Sequence, residues 1–111
     1  MAHFLEYKSQ GQVLPYDFDF TDLLTVADTQ LDLVKCKEAL LVRDSAGEDK
    51  LAYLVQSTSI LGKVLTVVLA NGLEGEDYWI AAKGYGNVSF LTRQPVFTLE
   101  LRVRNKILGN L

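Results

Sequence analysis

The stretch Val96–Arg104 constrains this chain more than any other. Phe97, Leu99, Leu101 and Val103 alternate with Thr98, Glu100, Arg102 and Arg104. Apolar residues repeating with period two mark a strand with one face in a core and one in water. A helix would scatter the same residues around its whole circumference. Tyr78, Leu99 and their same-face neighbours Ile80 and Leu101 are therefore the expected core.

Strand patterns recur along most of the chain. Val64–Ala70 is rich in β-branched residues and apolar on both faces. Asn71 and Gly72 follow, residue types that tolerate positive φ and let the chain reverse. Tyr78–Gly84 resumes as a strand, with Tyr78, Ile80 and Ala82 on one face and Trp79, Ala81 and Lys83 on the other. Upstream, Tyr16, Phe18 and Phe20 alternate with Asp17, Asp19 and Thr21, as in an edge strand entered through Pro15. One or two strands are expected within Leu31–Val42, broken near Lys35–Glu38. Another is expected at Leu51–Ser57, after a polar turn around Ala46-Gly47. About seven strands with turns every 8 to 12 residues predict an all-β sandwich over residues 14–105. Residues 1–13 are left as an N-terminal arm and 106–111 as a C-terminal tail.

Composition narrows the function. Eleven basic and 14 acidic residues give a formal net charge of −3, which argues against a general nucleic-acid binder. Cys36 is the one cysteine, so no internal disulfide and no Cys-rich zinc module can form. His3 is the one histidine and falls in the arm, a poor place for a catalytic base. Cys36 therefore reads as a buried, inert thiol on a strand. Met1–Gln10 has no apolar run of the secretory kind. No apolar run is longer than that of Tyr78–Ala82, far short of the ~20 residues of a membrane helix.

Each chemical motif has a plainer reading. Asp17, Asp19 and Asp22 offer oxygens to calcium, but no acidic loop completes the set, so a solvated outer face is expected. No pair of carboxylates stands out for acid–base work. Gly84-Tyr85-Gly86-Asn87 follows a strand but opens no helix, so it reads as a hairpin loop rather than a phosphate cradle. No enzymatic activity, cofactor or metal is expected.

Two motifs carry family resemblances. Leu73-Glu74-Gly75-Glu76-Asp77-Tyr78-Trp79-Ile80 resembles the corner and tyrosine that open a late strand in immunoglobulin-like and fibronectin-type domains. There the tyrosine hydroxyl ties the strand to the corner and its ring fills the core. Tyr16-Asp17-Phe18-Asp19-Phe20-Thr21-Asp22-Leu23-Leu24 resembles the opening of the fibre–tail adaptor proteins of tailed phages. That family shares a late segment matched here by Val64–Leu69, Gly72, Gly75, Tyr78 and Ile80, and a final alternating strand. The resemblance implies a non-enzymatic structural protein of a bacteriophage virion, assembled in the host cytoplasm. It would join tail, neck or baseplate to fibres through contacts with other virion proteins, as a homo-oligomer in a ring, with no nucleic-acid or membrane partner. A capsid decoration (cement) protein of the same fold is one alternative. The other is a carbohydrate or cell-surface binding module using Trp79 and Tyr85.

The residues expected at protein interfaces follow from these patterns. Phe4 and Tyr7 are apolar for an arm, and Leu108 sits in an apolar C-terminal run. Trp79 and Tyr85 are candidate exposed aromatics. Arg93, Arg102 and Arg104 make the late part of the chain basic, whereas Asp17, Asp19, Asp22, Asp28 and Asp32 make residues 14–33 acidic. Such a split suits either cross-strand pairing within one domain or head-to-tail packing of copies.

Overall fold

The alternating strand at the end of the sequence lies in the middle of a sheet. The computed structural model describes residues 2–24, 28–88 and 94–104. In chain order these form β1 (Ala2–Lys8), β2 (Leu14–Asp19), α1 (Leu33–Ala39), β3 (Leu41–Asp44), α2 (Leu51–Leu54), β4 (Val55–Leu61), β5 (Val64–Leu69), β6 (Asp77–Lys83) and β7 (Val96–Val103). One sheet has the order β1-β7-β6-β3 and the other β2-β5-β4. Neighbours are antiparallel except β1 and β7, which run parallel. The chain passes from one sheet to the other between β1 and β2, β2 and β3, β3 and β4, and β5 and β6. This is the Greek-key weave of an immunoglobulin-like sandwich.

Period-two patterning sets which residues meet. Ile80 pairs with Leu99 and Tyr78 with Leu101 across β6 and β7, and all four are buried. Leu65, Val67 and Leu69 of β5 face them from the opposite sheet, also buried. Burying one such side chain is worth about 1.5–3 kcal/mol, against under about 1 kcal/mol for an exposed ion pair. The inner faces, not the charges, therefore fix the register. The outer side chains of β5 are half-buried because β2 and β4 flank the strand on both sides.

The β5–β6 corner forms as the resemblance implies. Asn71 and Gly72 take positive φ, and Leu73 donates its N–H to the Tyr78 hydroxyl at 3.1 Å. Gly72 is also confined by packing: a Cβ there would lie 2.9 Å from a methyl of Val103. The other side of the core is aromatic. Phe97 contacts Phe4, Phe18 and Phe20, with ring centroids 5.5, 6.4 and 4.8 Å away.

Three expectations need correction. Residues 2–8 are not an arm but strand β1, pairing residue for residue with β7 from Ala2–Phe97 to Lys8–Val103. The backbone edge of β7 offers partners that no local pattern reveals. His3 accordingly sits in a sheet, with its ring 3.6 Å from Glu100. Second, Leu33–Ala39 is helical, capped by the Asp32 carboxylate accepting from Lys35 N–H at 3.2 Å. Cys36 is thus buried on a helix rather than a strand. α1 packs on β6 and β4 and so closes one side of the sandwich. Third, Leu51–Leu54 is one helical turn, and its strand starts only at Val55. The number of strands still reaches seven because β1 replaces the strand expected near Leu31.

Candidate functional site

Pairing places a mixed surface on the outside of the four-stranded sheet. Residues in register share a face, so the outer rows can be read directly. One row runs Leu5, Glu100, Trp79, Arg43, and the next runs His3, Thr98, Ala81, Leu41. A third holds Tyr7, Arg102 and Asp77. Leu5, Tyr7 and Leu41 are exposed, and Trp79 is half-buried between its neighbours. Trp79, Ala81 and Leu41 therefore form an apolar patch on β6 and β3, parted from Leu5 and Tyr7 on β1 by Thr98, Glu100 and Arg102 of β7. Arg43 and Asp77 complete a charged frame. Apolar residues set among charged ones are the anatomy of a protein contact surface.

The frame is partly self-neutralised. Arg102 Nε contacts Glu100 at 2.8 Å, and that carboxylate holds the guanidinium still more firmly protonated. Arg102 also donates to the Tyr7 hydroxyl at 3.4 Å. Arg104 pairs with Asp77 at 2.9 Å and donates to the Val103 carbonyl at 2.9 Å. Asp17 and Asp19, on the other sheet, accept from the Thr66 and Thr21 hydroxyls at 2.6 and 2.5 Å. Arg102 and Arg104 thus pair with Glu100 and Asp77 of their own sheet. Of the early acidic residues, Asp17 and Asp19 lie on the opposite sheet, whereas Asp32 caps α1 and Asp28 is buried against Gly86.

The expected interface residues divide. Tyr7, Trp79, Arg102 and Arg104 share the outer face just described. Phe4 does not: it points inward, edge-on to Phe97, and is 40% exposed because β1 ends the sheet. Tyr85 lies beyond β6, where its carbonyl accepts from Asp32 N–H at 2.7 Å and its N–H meets Cys36 Sγ at 3.4 Å. Its ring packs against the core beside α1. Six residues of near-extended chain put Tyr85 roughly 20 Å from Trp79, so the two do not form one stacking platform for a sugar. Arg93 and Leu108 lie outside the described residues. Leu5, Leu41, Ala81 and Arg43 were missed. Leu41 and Arg43 do alternate with buried Val42, but over four residues that signal is too short to recognise.

A second concavity of about 220 Å³ lies between α1, α2 and the open edge of β4, lined by Leu40, Leu51, Val55 and Thr58. The Thr58 hydroxyl there has no hydrogen-bond partner among the described residues.

No family model, curated protein or solved structure matches the chain.

Proposed function

We propose that this chain is a non-enzymatic structural subunit of a tailed-phage particle, joining components of the tail, neck or baseplate by protein contacts. The observation that carries the reading is the outer face of the four-stranded sheet, where Leu41, Trp79 and Ala81 make an apolar patch beside Arg43, Glu100 and Arg102, and Leu5 stands exposed on β1 beyond Glu100. Aromatic and aliphatic residues ringed by arginine are what a protein partner selects. The resemblance of residues 16–24 to fibre–tail adaptors favours a virion as the setting. In the fold these residues supply Phe18 and Phe20 to the core and Asp17 and Asp19 to the surface.

The test is incorporation into particles when the gene is expressed with its neighbours. The wild-type chain should co-purify with particles. Leu5→Glu combined with Leu41→Glu should keep the fold, since both side chains are exposed, and should be lost from particles. A folded double variant that enters at the wild-type level removes this face from the reading. A wild-type chain absent from purified particles removes the virion.

A further inference from the structure

We infer that copies of this chain stack head to tail, the outer face of the four-stranded sheet of one copy lying on the outer face of the three-stranded sheet of the next. This rests on the reading that the chain is a repeated structural subunit. The argument is charge and shape. On the four-stranded sheet, Arg43, Lys83, Arg102 and Arg104 stand with Asp77 and Glu100. Both acids are already engaged, by Arg104 and Arg102. Arg43 and Lys83 make no ion pair among the described residues. That face is net positive.

The other face is its complement. On β2 the outward residues are Pro15, Asp17 and Asp19, and no strand of that sheet turns a lysine or arginine outward. Asp19 is held below the usual carboxylate range by its bonds from Thr21, so it stays charged. Across the face, Ser57, Ser59 and Thr66 are small and leave it flat, while Leu61 projects from it 83% exposed. A flat acidic sheet with one apolar knob suits the basic sheet with its apolar patch of Trp79, Ala81 and Leu41.

Self-pairing of like faces is opposed by the same charges. Two copies joined through their four-stranded sheets would bring Arg43 and Lys83 against their own kind. A contact between unlike faces leaves a free face at each end, so it propagates as a ring or a filament. Sheets pack ~10 Å apart, so each copy should advance the stack by about 20 Å. Three strands of about six residues present a footprint of roughly 300 Å², below the ~800 Å² per partner of a stable pair. The contact is therefore weak in isolation and gains strength by repetition.

Small-angle scattering and sedimentation on the full chain test this. Wild type should associate with rising concentration at low salt, with a spacing near 20 Å. Going from about 0.01 to 1 M salt should weaken association roughly tenfold or more, as the Debye length falls from ~30 to ~3 Å. Arg43→Glu with Lys83→Glu makes both faces acidic, and Asp17→Lys with Asp19→Lys makes both non-acidic. Each variant alone should stay monomeric with its fold intact by circular dichroism, and an equimolar mixture should stack again. A mixture that remains monomeric, or stops at pairs, overturns head-to-tail stacking. So does a single-face variant that stacks like wild type. If the variants fail to fold, the salt series on wild type decides, and salt-independent or absent association overturns the inference. Particle incorporation without stacking would sink this inference and leave the proposed function standing. Stacking by a chain that never enters particles would do the reverse.

Discussion

The ammonium of Lys8 donates to the carbonyl oxygen of Asn71 at 2.5 Å, across 63 positions of sequence. Two further bonds reach the carbonyls of Ser9 and Gln10 at 3.0 and 3.3 Å, so all three ammonium protons are used. The side chain is fully buried and pins the end of β1 to the β5–β6 corner.

Lys8→Met keeps most of the buried stem but leaves these carbonyls without their donor. Hydrogen bonds to charged groups are each worth about 1.5–3 kcal/mol, and part of that is offset by the cost of burying the charge. A net loss of about 2–3 kcal/mol is expected from the midpoint of urea unfolding. An unchanged midpoint would mean the desolvation cost cancels the bonds.

Leu99→Ala should cost about 2–5 kcal/mol, the range for truncating a leucine with no exposed surface. Thr98→Ala on the same strand, half-buried on the outer face, should cost far less. Comparable losses at both positions would contradict the alternation.

Gly84 has an ordinary φ yet no room for a side chain. A Cβ there would sit 2.5 Å from the ring of Phe20, itself fully buried. Gly84→Ala should therefore destabilise by about 1–3 kcal/mol through overpacking alone. Adding Phe20→Leu should recover part of the loss, and a double variant no better than the sum of the singles would point to a backbone cause.

Burial pushes the Cys36 thiol above its ordinary pKa of 9.0. The folded chain then holds that proton more tightly than the unfolded chain. The contribution of this group is fully present below about pH 9 and is lost as pH rises from there through the raised value. The stability of wild type minus that of Cys36→Ala should decline over that range. Comparing the two variants separates Cys36 from Tyr16 and Tyr78, which burial shifts the same way, and from Lys8, which it shifts oppositely. A difference flat with pH would show that the thiol titrates alike in both states.

What could be read in advance follows from where each residue finds its partners. β5, β6 and β7 declare themselves because their inward residues are all apolar. β1 is hidden because Glu6 and Lys8 stand in register with buried Leu101 and Val103. The carbonyls of Ser9, Gln10 and the distant Asn71 make a lysine tolerable at that place, and no local pattern reveals the last of them. α1 is hidden because Leu33 and Val34 read as strand, and its one local sign is the Asp32 cap. On the outer face, Trp79 and Tyr7 are conspicuous as aromatics, whereas Arg43 becomes a neighbour of Trp79, and Leu5 of Glu100, only through strand pairing.

The parallel pairing of β1 with β7 also sets a schedule for the growing polypeptide. Tyr7 and Arg102, which meet on the finished sheet, are 95 positions apart. Among the described strands β1 has β7 as its backbone partner, so it must wait until β7 has been made. Closing so long a loop is slow, and until it closes the edge of β1 and its apolar side chains stay open to other chains. Synthesis of this sandwich thus carries its greatest exposure to aggregation before β7 emerges, and relieves it once that strand is free to pair.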